Sequence, residues 1–298
     1  MIPLNQNLST LKRSAIRVYT NLAKEVPGCV MLTIGEPDFD TPEVIKATAC
    51  AALAGGQTHY APNQGTAALR KAVADYETGR GHAVTPEQVL ITVGATHALF
   101  TALLGILNPG EEVIVPTPGF GLYKTIATVA GAKTVSLDVT KTGFQITKEA
   151  LNAAITPKTK AIILNSPCNP TGVVLNAESM ANVKAAVLGK PIFVISDNVY
   201  SQLSDGSCPD LSLDPELHNQ LILCQSFSKP YAMTGWRIGY LTCPDYVMDR
   251  LILLSAAEIA AVPGSCFGSE GYIRLSYCCS DEDLKTGMDR MEKFIKTL

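Results

Sequence analysis

Lys229 lies in Ser226-Phe227-Ser228-Lys229, directly after the apolar run 221–225, and Arg237 follows in Thr234-Gly235-Trp236-Arg237-Ile238-Gly239-Tyr240. An amine just past a strand projects into the crevice where α/β folds bind ligands, and there it can serve as nucleophile or base. The Ser226 and Ser228 hydroxyls with the Arg237 guanidinium suit a phosphate-sized anion. Asp197 and Tyr200, in Ser196-Asp197-Asn198-Val199-Tyr200, end a second run, 192–196. A carboxylate at that place can pair with a protonated pyridine nitrogen and keep the ring electron-accepting, while Tyr200 donates to a phenolate oxygen on the same ring. Past a third run, Asn165-Ser166-Pro167-Cys168-Asn169-Pro170-Thr171-Gly172 presents the Asn169 amide, a donor for a cofactor oxygen or a substrate carboxylate. Val93-Gly94-Ala95-Thr96-His97-Ala98 turns a strand into a helix, and free backbone N–H groups with the Thr96 hydroxyl make an anion cradle. Taken singly, each has a plainer reading: a solvated lysine, a turn-capping aspartate, a tight Pro-Gly loop, and a small-residue turn with His97 packed on its own helix.

These groups need a scaffold, and the chain supplies a regular one. Short β-branched runs at 89–93, 112–115, 134–137, 160–164, 192–196 and 221–225 alternate with helical patterns, which predicts an α/β fold with a mostly parallel sheet between helices. Thr41-Pro42-Glu43 reads as an N-cap followed by proline in a first turn, and Asn108-Pro109-Gly110 as a helix stop. A helix is expected around 11–24. Another is expected from 281 to 298, where Leu284, Met288, Met291 and Ile295 form an apolar stripe.

Composition excludes several classes. The chain has 298 residues, 47% hydrophobic and 17% charged, enough for a large core. A net charge of −3 with scattered Lys and Arg gives no field for nucleic acid. No apolar run is long enough for a membrane helix, and residues 1–20 lack a secretory apolar stretch. Nine cysteines at irregular spacings, with no Cys/His set at metal-ligand spacing, predict free thiols in a reducing cytoplasm and no metal site.

Five segments in order carry a family resemblance: Gly35-Glu36-Pro37-Asp38-Phe39, Tyr60-Ala61-Pro62-Asn63-Gln64-Gly65, and the stretches 165–172, 196–200 and 226–240. Together they resemble the class I/II aminotransferases of pyridoxal-phosphate fold type I, from about residue 14 to 253 and again from 262 onward. The resemblance implies that Lys229 carries pyridoxal 5′-phosphate as a Schiff base and moves the substrate proton. It assigns Asp197 to the ring nitrogen, Tyr200 and Asn169 to the phenolate oxygen, and Ser226, Ser228, Arg237, Ala95 and Thr96 to the phosphate. Phe120 falls where an aromatic stacks on the ring. Tyr60 falls where the family reaches a partner subunit's phosphate, so a homodimer is implied. Arg274, in Arg274-Leu275-Ser276-Tyr277, resembles the arginine that holds the substrate carboxylate, helped by the Gly35 backbone. The implied reaction moves an amino group between an L-amino acid and a 2-oxo acid. A C–S lyase and a catalytically impaired pyridoxal-phosphate-binding protein are the alternatives.

The chain departs from the family in one stretch. Residues 253–262 directly join segments between which family members place most of a small domain, so a block of roughly 80 residues is missing near 256–261. The expected division is a large cofactor-binding domain at 40–255 and a reduced small domain from 1–39 and 256–298. Because the cofactor residues lie in the large part, the cofactor site is expected to survive, with substrate closure suffering. Ile16-Arg17, 32–35 and 271–277 look closest to the aminotransferase A and N-acetyl-diaminopimelate aminotransferase branch. Aspartate and aromatic substrates stay equally open.

Overall fold

The computed structural model describes residues 6–11, 15–204, 206–255, 262–263, 273–274, 282 and 285. It divides into two compact units, Met1–Ala256 and Ala257–Leu298. The expected terminal helix at 281–298 lies outside the described residues apart from Glu282 and Lys285, which are helical.

The first unit is built on a seven-stranded sheet of β1 (Val89–Thr92), β2 (Glu112–Thr117), β3 (Lys133–Asp138), β4 (Thr159–Asn165), β5 (Phe193–Asp197), β6 (Leu221–Ser226) and β7 (Gly239–Thr242), in the order β1-β7-β6-β5-β4-β2-β3. The central strands β4, β5 and β6 are buried almost throughout. That is the signature of strands covered on both faces, and it explains their unbroken apolar runs. Along the chain the helices are α1 (Ala15–Lys24), α2 (Glu43–Ala54), α3 (Ala67–Gly79), α4 (Gly94–Ile106), α5 (Leu122–Val129), α6 (Lys148–Ala154), α7 (Ala177–Val187) and α8 (Asp245–Ser255). One apolar layer joins the sheet to α4, α5 and α8 through Leu99, Leu103, Ile126 and Leu251. The other joins it to α6 and α7 through Leu151, Val183 and Val187. Among the described residues no helix is long and apolar enough to cross a membrane.

All six expected strands form. The seventh, β7, shows in the sequence only as the tail of the 226–240 motif, and it runs antiparallel to both neighbours, β1 and β6. The connection from β6 holds only a single 3-10 turn, Thr234–Trp236, with no crossover helix to carry the chain back for parallel pairing. The Thr41 expectation also needs correcting. The N-cap of α2 is Pro42 and has no side-chain cap. The Thr41 hydroxyl instead donates to the Ala232 carbonyl at 2.6 Å and accepts from Trp236 Nε1 at 3.0 Å. A tertiary partner thus replaces the local one.

In the second unit Val262–Pro263 and Ile273–Arg274 form an antiparallel pair, β8 and β9. The Arg274 side chain lies outside what is described.

Candidate active site

Sheet register lines up the strand ends that carry the chemistry. Asn165 of β4 is opposite Asp197 of β5, and Asp197 is opposite Cys224 of β6. Ser226 of β6 and Thr92 of β1 both face Gly239 of β7. A cavity of about 830 Å³ opens over these ends, and its lining includes Gly35, Ala95, Thr96, Phe120, Asn169, Asp197, Tyr200, Ser226, Ser228, Lys229 and Arg237. Eleven sequence-derived candidates therefore share one concavity, although they are drawn from loops far apart in the chain. Tyr60 is not among the lining residues and is 91% exposed.

Asp197 is the most constrained of them. Asp197 is 3% exposed, and Oδ2 accepts from the Tyr123 hydroxyl at 2.6 Å, while Oδ1 is buried with no hydrogen-bond partner among the described residues. Burial pushes its pKa up from 3.8 to about 6, against the opposing pull of the Tyr123 hydroxyl and the Val199 N–H. Asn165 fixes the surrounding backbone by donating to the Asp197 carbonyl at 2.9 Å and accepting from the Asn169 N–H at 2.7 Å. The Asn169 amide in turn donates to the Tyr200 hydroxyl at 3.4 Å. Burial raises the Tyr200 pKa, and the nearby Asp197 charge adds to the shift.

Lys229 is half-buried, with Nζ donating to the Gly35 carbonyl and lying 5.8 Å from the Tyr200 ring centre. Burial lowers its pKa. Glu36 opposes the shift and Arg237 reinforces it. The N-terminal segment reaches the cavity through Thr33, Ile34 and Gly35, and the Thr20 hydroxyl of α1 donates to Thr33 Oγ1 at 2.8 Å.

The N-terminus of α4 also borders the cavity, which Ala95 and Thr96 of its first turn line. Ser226 Oγ accepts from the Ser228 N–H at 3.0 Å, and Arg237, in the left-handed region at φ +57°, donates to the Thr234 carbonyl at 2.8 Å. The close approach of β7 to this helix end depends on Gly239. A Cβ there would lie 2.7 Å from the Gln225 carbonyl oxygen and 2.8 Å from the Ala95 nitrogen. Both are backbone atoms and cannot swing away. Gly239→Ala is therefore expected to cost about 1–3 kcal/mol, read as a lower urea midpoint, and to displace the first turn of α4.

Sequence reasoning missed Tyr123. It is 2% exposed and packs edge-on against Phe120, with ring centres 5.6 Å apart. Its signal in the sequence is weak, since Phe120 precedes the helix that carries Tyr123. Asn165 is legible only as the start of its motif.

The model of the family described as aminotransferase class I and II matches residues 27–257, most of the chain. The chain belongs to the class I and II aminotransferases. The probable N-acetyl-LL-diaminopimelate aminotransferase of Bacillus subtilis is 33% identical over 98% of this chain and 95% of its own length. That alignment runs over 376 residues, more than the chain contains, so it bridges a stretch that this aminotransferase lacks. The aspartate aminotransferase of Musicola paradisiaca is 39% identical over 73% of this chain, which spans 56% of that protein. Among solved structures, the Thermus thermophilus aspartate aminotransferase with maleate superposes with a TM-score of 0.81 at 36% identity, covering 86% of this chain and 68% of that one.

Class I and II aminotransferases use pyridoxal phosphate, and the cavity fits it on internal grounds. Among the described residues Asp197 Oδ1 is a buried acceptor lacking a donor, as a protonated ring nitrogen requires. The α4 terminus and the Ser226–Ser228 turn offer N–H and hydroxyl groups on the side where a phosphate would lie. Lys229 stands at the same cavity with a lowered pKa.

Proposed function

We propose that this chain moves an amino group between an L-amino acid and a 2-oxo acid with pyridoxal phosphate held on Lys229. The observation that carries the reading is the pairing, across one cavity, of an unpartnered buried carboxylate oxygen on Asp197 with a half-buried lysine amine.

The cofactor, when bound, supplies an electron sink for the pair released at the substrate α-carbon. The rest is the work of this chain's residues. Asp197 Oδ1 accepts from the ring nitrogen and keeps it protonated. Tyr200 and Asn169 donate to the ring oxygen, and Phe120 covers the ring face. Ser226, Ser228, Arg237, Ala95 and Thr96 bind the phosphate. Lys229 Nζ would hold the cofactor and, as a free amine, would take the α-proton and return it one carbon away, and burial lowers its pKa in the direction that favours the free amine. Gly35, Asn169 and Arg274 are assigned to the substrate carboxylate.

We further assign a homodimer in the cytoplasm, with Tyr60 reaching the partner's phosphate. Exposed apolar side chains between 18 and 60 support the dimer, because Leu32, Phe39 and Tyr60 each expose four-fifths or more of their surface. A reduced small domain formed from 1–39 and 256–298 completes the reading.

The test is to incubate purified protein with pyridoxal phosphate, record the visible spectrum, and add amino acids with 2-oxoglutarate. Retained visible absorbance that bleaches with a donor, together with glutamate formation, is expected. Release of ammonia and pyruvate in place of glutamate would convert the reading to a lyase. No absorbance at all would end it.

A further inference from the structure

Behind the site lies a chain of buried and half-buried polar groups that the reaction does not itself use. Glu77 of α3 is fully buried and accepts from the Tyr240 hydroxyl of β7 at 2.5 Å. Arg80 reaches Glu77 at 3.4 Å and Asp210 at 3.7 Å, a single guanidinium between two acidic side chains. Asp210 Oδ2 accepts from the Asn198 amide at 2.7 Å, and Asn198 Oδ1 accepts from the Ser196 hydroxyl at 2.9 Å. Asn198 is 4% exposed and adjoins Asp197, and its carbonyl accepts from the Ser201 N–H at 3.0 Å, closing the turn that holds Tyr200.

From this arrangement we infer that Glu77, Arg80, Asp210 and Asn198 are positioning residues that aim the Asp197 carboxylate and the Tyr200 hydroxyl into the cavity. The inference rests on those two groups meeting the cofactor as proposed above. A buried ionic network is a poor way to stabilise a fold, since well-packed apolar side chains do as well or better. What it does provide is direction. Asn198 is gripped on both sides, by Ser196 and by Asp210, so the backbone around Asp197 cannot rotate without breaking a buried hydrogen bond. The far end of the chain is Tyr240, beside Gly239, whose backbone packs on Gly94 and Ala95. The same network therefore links the ring-nitrogen side of the cavity to its phosphate side.

Asn198→Ala removes the link to Asp210, and Asp210→Asn keeps an oxygen for Asn198 while removing one charge partner of Arg80. Both are loaded with pyridoxal phosphate, and the pH at which the visible absorbance changes is titrated beside Val183→Ala, a destabilising change in the apolar layer under α7. Asn198→Ala is expected to raise that pH midpoint by about half a unit or more and to weaken cofactor affinity about tenfold. Asp210→Asn shifts both in the same direction by less, and Val183→Ala lowers the melting temperature without moving the midpoint. Should Asn198→Ala fail to fold, Asp210→Asn decides by the same readout. A normal band whose midpoint ignores the substitutions overturns this inference alone. Absence of any band in the unmodified protein overturns the functional reading and the inference with it.

Discussion

Lys229→Ala is expected to leave a folded protein that no longer keeps visible absorbance after incubation with pyridoxal phosphate and dialysis, and to lower amino transfer by about 10⁴-fold or more. On the proposed reading two functions would disappear together: the attachment point for the cofactor and the amine that moves the substrate proton. The fold should tolerate the change, because Lys229 is half-buried and, among the described residues, the hydrogen bond lost is that from Nζ to the Gly35 carbonyl. A melting temperature close to that of the unmodified protein, measured without cofactor, separates loss of chemistry from loss of structure. Dialysis-stable visible absorbance in the variant would reassign the attachment to another lysine.

Asp197 combines a large effect with a defined pH dependence. Truncating one partner of a buried ion pair costs about 3–5 kcal/mol, so Asp197→Ala should weaken cofactor binding by roughly two to three and a half orders of magnitude. Without cofactor the sign runs the other way. The carboxyl titrates at about 6 in the fold, above its ordinary 3.8, so the fold prefers it protonated. Its contribution to stability is complete below its unfolded value and is lost as pH rises through about 6. A protonated ring nitrogen needs the ionised form, so the cofactor's stabilising effect grows over that same window. The rise in melting temperature on adding pyridoxal phosphate should be larger at about pH 8 than at about pH 5, and Asp197→Asn should flatten the difference. Tyr123→Phe removes the donor that opposes the shift, which moves the window upward.

Local sequence is enough for the elements and their chemistry. The runs ending at Asp197 and Ser226 are apolar and β-branched because both faces of a central strand are covered, and the first polar residues past each run must fall at the sheet's edge. For the same reason the order of residue types along the chain suffices to mark Asn169, Lys229 and the Ala95-Thr96 turn as candidates, and all four line one cavity. That the chain lacks a stretch its relative contains is legible too, because the motifs after Leu253 are spaced too closely.

Other features depend on contacts between residues distant in the chain. Nothing near Thr41 announces that its hydroxyl will meet Ala232 and Trp236, and so leave α2 without a side-chain cap. β7 is only four residues long and begins at a glycine, so its strand character and reversed direction come from the groove left between β1 and β6. That Asp197 has one oxygen tied to Tyr123 and the other free, and that Glu77, Arg80 and Asp210 line up behind Asn198, are matters of side-chain geometry. A one-dimensional pattern records which groups are available to pair. Folding decides which of them are satisfied internally and which are left for a ligand, because only burial makes an unpaired acceptor costly.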